Sequence, residues 1–328
     1  MVDLNKVKDD PEAQLAGLTS AIKASKNNAD LYARRAIVYL KQREFEKALS
    51  DADQAVKLSK DQTEHLFVKA QVLRALKSEG EALKLALQAE RKGYQNVMLY
   101  VLLSDLYFQL KQFDKAKKYN KLAIKTAPSN EYVLYYNGRI AAATGDTAVA
   151  VNAYRKALQT EPEFFELKRE LAGLYVAGKD FEQGQLYLEQ AQKLDSTDGL
   201  LWYYQGKIYQ STERTDSAVW SYNKAVSLAD TLTGAHHQLG YIHFARGNYN
   251  LAAAHLEKAA DRYGKTVRFL TTFATSYEHL GEDRKALEQY EKLVSLEPKY
   301  SYAYQKIARL KSRLATTVND STIVVPED

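Results

Sequence analysis

One arrangement of small and bulky residues recurs every 34 residues through most of this 328-residue chain. Four residues mark its first copy: Ala36, Tyr39, Ala48 and Ala55. Seven further copies follow in the same register, up to about residue 300, without an insertion or a deletion. Such a repeat constrains the fold more than any single motif, because each unit buries its apolar side only against its neighbours.

Three positions of the repeat hold small residues. With residue 29 counted as position 1, positions 8, 20 and 27 are Gly, Ala or Ser at 23 of 24 places, and the exception is Leu293. Bulky residues, many of them Tyr, recur at positions 4, 11 and 24. Small residues let helices approach closely, and a large side chain there would overpack the contact at a cost of ~1–3 kcal/mol. The pattern therefore predicts consecutive, closely packed helices.

This pattern resembles the tetratricopeptide repeat (TPR), a 34-residue helix–turn–helix unit. The proline that the family carries after its second helix is present as Pro128, Pro162 and Pro298. The resemblance implies an all-α fold, a right-handed α-solenoid or superhelix of helix–turn–helix repeats. A chain with only 5 prolines and many strong helix formers agrees with that fold.

The resemblance also divides the chain. We expect an N-terminal lead at 1–8, a half-repeat capping helix at 9–28, a closing helix at 301–315 and a flexible tail at 316–328, which lacks a helical period. Eight full repeats are expected between the caps over 29–300: 29–62, 63–96, 97–130, 131–164, 165–198, 199–232, 233–266 and 267–300. A start at half a repeat favours equally a natural cap and a chain trimmed of an export or lipidation segment.

Composition and motifs argue against catalysis. The chain contains no cysteine, which excludes disulfides, thiolate zinc sites and cysteine nucleophiles. It contains neither G-x-S-x-G nor H-E-x-x-H, and the Gly-Lys-Thr at 264–266 lacks the first glycine of a P-loop, since Ala259 stands there. His236 and His243 lie at packing positions 4 and 11, which favours a core role over metal ligation. We predict no enzyme activity, cofactor or metal.

The family resemblance also identifies candidate groove residues. In TPR proteins, repeat positions 2, 5, 6, 9, 12 and 13 usually face a concave groove that binds extended peptides or helices. In this chain those positions hold seven cations and six anions: Arg34, Lys41, Arg74, Arg139, Arg169, Lys207 and Arg268, with Asp30, Glu64, Asp105, Glu166, Glu170 and Glu278. A nucleic-acid channel requires a strong excess of positive charge, so we expect no nucleic-acid partner.

The same positions hold an aromatic and cationic set that we predict to be the partner-binding wall: Tyr132, Tyr135, Tyr136, Arg139, Arg169, Tyr203, Tyr204, Lys207, His237, Tyr241 and Phe244. Tyr combines a large contact area with one hydroxyl group and a small entropy loss, so it is common in recognition surfaces. We expect Tyr135 and Tyr203 to be exposed. For Tyr136 and Tyr204, packing against the adjacent helix is equally favoured.

One known TPR function is not expected. The chaperone-binding subgroup holds a C-terminal carboxylate with Lys at position 5 and Asn at position 9, together with residues of the next two repeats. Here the cation at position 5 is Arg169, and Gly173 and Tyr204 follow at the next two clamp positions. The carboxylate clamp of that subgroup is therefore missing.

These observations predict a non-enzymatic scaffold that binds a peptide or protein segment in the concave groove. We expect a component of a bacterial cell-envelope assembly, in the bacterial periplasm or as an outer-membrane lipoprotein, with the cytoplasm as the alternative location. Membrane attachment is expected only if a lipidated N-terminus was removed, since no apolar run approaches the ~20 residues of a transmembrane helix. Two alternative functions remain: binding of a glycan strand or carbohydrate by the Tyr-rich groove, and tethering as an accessory subunit of an enzyme complex.

Overall fold

The computed structural model describes residues 10–60 and 62–320, and within these residues it contains helices and no strands. The helices are α1 Pro11–Ala24, α2 Ala29–Lys41, α3 Phe45–Ser59, α4 Thr63–Ala75, α5 Glu79–Arg91, α6 Val97–Gln109, α7 Phe113–Thr126, α8 Glu131–Ala143, α9 Thr147–Thr160, α10 Phe165–Ala177, α11 Phe181–Leu194, α12 Gly199–Ser211, α13 Thr215–Leu228, α14 Thr233–Ala245, α15 Tyr249–Tyr263, α16 Val267–His279, α17 Asp283–Leu296 and α18 Ser301–Asp320. The predicted all-α solenoid of helix–turn–helix repeats is confirmed. No described helix is long and apolar enough to cross a membrane.

The turn inside each repeat has the same backbone conformation in all eight copies. The residue at position 15 has a positive φ in every case: Arg43, Lys77, Lys111, Gly145, Lys179, Glu213, Gly247 and Gly281. The next N–H then donates to the carbonyl oxygen of position 11 at 2.8–3.0 Å, which is the hydrogen bond of a Schellman motif. A left-handed residue at one fixed position therefore ends the first helix of every repeat.

The small-residue positions lie buried between packed helices. All 24 residues at positions 8, 20 and 27 are buried, including Leu293. At Gly138 an added Cβ would lie 2.3 Å from the ring of Tyr154, and at Gly206 it would lie 2.4 Å from the ring of Tyr222. In these two repeats glycine at position 8 makes room for a tyrosine at position 24.

The chain divides into two compact units, Met1–Leu167 and Lys168–Asp328, with the boundary inside α10. In the first unit α1 to α9 pack in sequence, and the first helices also contact one another: α2 with α4, α4 with α6, and α6 with α8. In the second unit α11 to α18 include the packed pairs α12–α13, α14–α15 and α16–α17, and α18 packs on α17. First helices thus lie side by side on one face of the first unit.

The predicted capping helices are present at both ends of the array, but the bounds of the C-terminal one differ from the prediction. At the N-terminal end, Asp10 Oδ1 caps α1 by accepting from the backbone N–H of Glu12 at 2.9 Å, and Pro11 begins the helix. At the C-terminal end, α18 continues to Asp320, so the expected helix end at 315 is wrong. No Gly or Pro interrupts the chain there, and Thr316 Oγ1 donates to the carbonyl oxygen of Ser312 at 2.7 Å. The expected lead at 1–8 and residues 321–328 lie outside the described residues.

Candidate functional site

The first helices of the first unit surround a cleft of about 500 Å³. Four successive first helices, α2, α4, α6 and α8, line it, and apart from Arg43 and Phe45 every lining residue occupies one of the six groove positions named above. Its charged and aromatic residues are Lys41, Arg43, Phe45, Arg74, Asp105, Tyr132 and Tyr136. We call this the first-unit cleft.

A buried carboxylate lies at the base of the first-unit cleft. Asp105 is 1% exposed, and its Oδ2 accepts from Arg74 Nε at 2.5 Å while its Oδ1 accepts from Gln109 Nε2 at 3.2 Å. Arg139 Nη1 lies 3.8 Å from Oδ1. Arg74 Nη2 also donates to the hydroxyl oxygen of Tyr136 at 3.1 Å. Because burial raises the pKa of Tyr136, the phenol stays neutral and accepts this hydrogen bond. The cluster links α4, α6 and α8.

The three tyrosines of α8 have different surroundings. Tyr132 is 44% exposed at the cleft, and its ring meets that of Phe164 edge-on with the two centroids 5.4 Å apart. Tyr135 is only 8% exposed, so the expectation that it is exposed is wrong. Its ring packs among those of Tyr136, Tyr154 and Phe164, with centroid distances of 5.2, 6.2 and 5.5 Å, because the helix partner and the following loop both cover it. Tyr136 is buried as well.

The predicted cations Arg139 and Arg169 are both engaged by the chain itself. The Arg139 guanidinium lies 4.4 Å from the ring centroid of Phe108, a cation–π contact. Arg169 Nη1 donates to Asp198 Oδ2 at 2.9 Å, and its Nη2 lies 3.3 Å from Glu170 Oε1. The positive charge of Arg169 is therefore already compensated by two carboxylates of the chain.

The remaining predicted residues lie in the second unit. Tyr204 packs over Gly173, where an added Cβ would lie 2.5 Å from the tyrosine oxygen, so local packing holds this side chain. Tyr203 is half-buried: its ring lies against Gly234, and it lines a cavity of about 250 Å³ together with Arg262 and Tyr263. The expectation that Tyr203 is exposed is therefore only half met.

His237 forms the centre of an aromatic group in the second unit. Its ring stacks on Tyr263 at 4.0 Å and meets Tyr241 edge-on at 4.6 Å. The Arg268 guanidinium lies 4.6 Å above the ring of Tyr241. Burial and the positive charges of Arg268 and Lys207 lower the pKa of His237 to about 4, so this imidazole is neutral at pH 7. Phe244 contacts Tyr249 edge-on at 5.7 Å, next to this group on α14.

Several residues of the first-unit cleft were not selected from the sequence. Lys41, Arg74 and Asp105 are among the predicted groove charges, but the predicted partner-binding wall begins at Tyr132, further along the chain. A signal was present, since Arg74 at position 12 of one repeat and Asp105 at position 9 of the next carry opposite charges. Arg43 offered no such signal, because position 15 belongs to the turn.

Three further histidines, His236, His243 and His255, lie together between α14 and α15. His236 and His243 are 2% and 8% exposed, so their predicted burial is confirmed. His236 Nδ1 lies 2.8 Å from Nδ1 of His255, and its Nε2 lies 3.1 Å from the carbonyl oxygen of Asp230. The rings of His243 and His255 stack at 5.7 Å. Among the described residues no group of three or more His, Cys, Asp or Glu is arranged to hold a metal ion.

This histidine group predicts that the protein loses stability as the pH falls. Burial, with His236 and His243 beside it, lowers the pKa of His255 from 6.5 to about 4, and burial lowers that of His243. Between pH 6.5 and about 4 the unfolded chain therefore binds protons that the folded chain does not. The free energy of unfolding consequently decreases as the pH is lowered through this range.

Thermal melts followed by circular dichroism at pH 7.5 and pH 5.0 check this expectation. We expect the melting temperature to fall on acidification, and to fall less in a His255→Gln variant, which cannot take up that proton. An equal fall in the two proteins would show that carboxylates elsewhere, not this imidazole, govern the acid sensitivity.

Comparison with protein-family models identifies two matches. The model described as "Tetratricopeptide repeat" matches residues 201–231, 233–266 and 267–300. The model described as "Tetratricopeptide repeat protein 21 ARM repeat" matches residues 24–189, just over half of the chain. Together these matches cover parts of both compact units.

A curated relative and several solved structures are similar to this chain. Anaphase-promoting complex subunit 3 of Schizosaccharomyces pombe (strain 972 / ATCC 24843) is 25% identical over 153 residues, which are 47% of this chain and 23% of that protein. This chain therefore spans less than a quarter of that relative's length.

The crystal structure of the APC/C hetero-tetramer Cut9–Hcn1 matches with a TM-score of 0.68 and 15% identity, covering 93% of this chain and 60% of that chain. Pseudomonas aeruginosa PilF matches with a TM-score of 0.56 and 16% identity over 66% of this chain and 97% of that one. A structure of a human IFIT1 dimer with PPP-AAAA matches with a TM-score of 0.58 and 17% identity, covering 87% of this chain and 68% of that chain. At these identities the similarity concerns the fold alone.

Proposed function

Because this chain belongs to the tetratricopeptide repeat family, we propose that it is a non-enzymatic scaffold that binds a segment of a partner protein on the surface formed by its first helices. The first-unit cleft is the observation that carries this proposal. It is built by four successive repeats, so an extended segment contacts several of them at once. Its volume of about 500 Å³ falls in the ordinary range for binding pockets, roughly 300–1,000 Å³.

The similar proteins support a scaffold role. The curated relative is named as a subunit of the anaphase-promoting complex, and the Cut9–Hcn1 structure is described as a hetero-tetramer. Both descriptions are of proteins that work inside assemblies. The proposed function requires neither a cell-envelope location nor a lipid anchor.

Glycan binding receives less support from the geometry. Stacking of sugar rings requires exposed aromatic faces, but Tyr135 and Tyr136 are each less than a tenth exposed and Tyr204 is packed over Gly173. Tyr132 alone among the α8 tyrosines presents a large exposed area. A single exposed ring on α8 favours an anchor for a protein side chain over a platform for a glycan strand.

The test begins with partners that co-purify with the native protein, identified by mass spectrometry and then measured as purified proteins by titration calorimetry. We expect Tyr132→Ala to weaken binding of the partner by about thirtyfold or more, because interface aromatics that act as anchors cost ~2 kcal/mol or more when truncated. Circular dichroism should show unchanged helix content, since Tyr132 is 44% exposed and is not part of the buried core.

The matched control is a pair of exposed lysines on second helices, Lys121→Ala with Lys156→Ala, which should leave the affinity unchanged. If this pair abolished binding and Tyr132→Ala did not, the partner would bind the second helices. The proposed function of the first-helix surface would then be wrong.

A further inference from the structure

We propose that the first-unit cleft selects segments in which a bulky apolar side chain is next to acidic side chains. This inference rests on the proposed function above and adds the chemistry of the partner. It is carried by the separation of charge and apolar surface within the cleft. The two cations that form no ion pair within the described residues, Lys41 and Arg43, come from the first repeat, where Phe45 lies beside them. The apolar floor comes from the third repeat and the tyrosines come from the fourth.

The cleft has an uncompensated positive charge. Its one lining carboxylate among the described residues is Asp105, and Arg74 already pairs with it. Lys41 and Arg43 are exposed and form no ion pair with any residue that the structure describes. Two positive charges are therefore available to a ligand.

Arg43 is presented by a rigid turn. Its φ is 61°, its N–H donates to the carbonyl oxygen of Leu40 at 3.2 Å, and the next N–H closes the Schellman hydrogen bond at 2.9 Å to Tyr39. Lys41 ends α2 immediately before this turn. The turn fixes the backbone from which the exposed Arg43 side chain extends. A guanidinium binds a carboxylate with two parallel hydrogen bonds, which an ammonium cannot do.

The other side of the cleft is apolar. Val101 and Leu102 form a buried floor, while Met98 is half-buried and Tyr132 is 44% exposed at the rim. Methionine adapts to differently shaped apolar side chains, and tyrosine offers a large rigid surface. This half of the cleft fits a Leu, Ile, Met or Phe side chain of the partner.

These two halves distinguish an acidic peptide from a nucleic acid. A phosphate backbone needs a continuous track of cations. Here the first helix of the third repeat offers Val101, Leu102 and a buried aspartate instead. Charge complementarity together with the apolar floor favours a peptide with mixed acidic and apolar side chains.

The experiment selects random dodecapeptides displayed on phage against the full chain, and then measures a fluorescein-labelled copy of the most enriched peptide by anisotropy. We expect enriched sequences with Asp or Glu beside a bulky apolar residue. The charge-reversal variant Lys41→Glu with Arg43→Glu should weaken that peptide by about tenfold or more, since each lost hydrogen bond involves charged groups. Affinity for the wild-type chain should fall as salt rises from low to high concentration.

The control is Lys121→Glu with Lys156→Glu, which changes the net charge equally on second helices and should not weaken the peptide. One result would overturn this inference and leave the proposed function standing. The enriched peptides would bind the Tyr132→Ala variant more weakly, but would show no acidic bias and would bind the Lys41 and Arg43 charge-reversal variant as tightly as the wild-type chain. Peptides insensitive to both variants, or no enrichment at all, would overturn both. A uridine dodecanucleotide that binds more tightly than the peptide and depends on Lys41 and Arg43 would overturn it in favour of nucleic acid.

Discussion

Replacing Tyr154 with alanine is expected to lower the free energy of unfolding by about 3–5 kcal/mol, the usual cost of truncating a buried aromatic residue. Tyr154 is 1% exposed, and its ring occupies the space that Gly138 leaves by having no Cβ. Truncation therefore opens a cavity between α8 and α9 that the rigid helix pair cannot close. Urea denaturation followed by circular dichroism measures the change.

The matched control is Tyr304→Ala in α18, where the side chain is 50% exposed. Its truncation should cost no more than about 1 kcal/mol, because most of its surface already contacts water. Equal losses from the two variants would mean that position 24 is not a packing position. The 34-residue register would then have been assigned wrongly.

Replacing Asp105 with alanine is expected to lower the free energy of unfolding by about 2–3 kcal/mol, because removing one member of a buried ion pair leaves the other charge uncompensated. The Asp105 side chain is 2% exposed, and the arginines beside it, Arg74 and Arg139, are 39% and 22% exposed. Their partial contact with water keeps the loss below that of a fully buried pair.

An exposed pair of the same kind provides the control. Asp216 accepts from Arg246 Nη2 at 2.6 Å, but the Asp216 side chain is 96% exposed. Asp216→Ala should therefore change the free energy of unfolding by no more than about 0.5 kcal/mol. A loss as large as that of Asp105→Ala would show that burial does not set the strength of these ion pairs.

The fold was largely predictable because the repeat is a local pattern. Small residues stand at positions 8, 20 and 27 in 23 of 24 places, and every residue at these positions is buried between helices. The helix ends near 145, 247 and 281 are marked by glycine, but those at Arg43, Lys77 and Lys111 are not, although the backbone is the same. There the repeat register, more than the residue type, predicts the turn.

The candidate site was less predictable, because a groove position predicts the helix face on which a residue lies but not which other side chains cover that residue. Tyr132 and Tyr135 belong to the same predicted wall, yet Tyr132 is 44% exposed and Tyr135 is 8% exposed. The difference comes from Phe164 and Tyr154, which are distant in sequence and close to Tyr135 in space. A helical period does not contain that information.

The sequence by itself determined the family, the all-α repeat and the close-packed positions, since each follows from contacts between residues at a fixed spacing. Only the tertiary structure decided which charges are available. Arg169 pairs with Asp198, and Arg74 pairs with Asp105, whereas Lys41 and Arg43 form no ion pair within the described residues. Whether a charge is compensated depends on side chains that meet across repeats, here 31 and 29 residues apart in sequence. For that reason the binding chemistry was decided by the packed helices and not by the period of the chain.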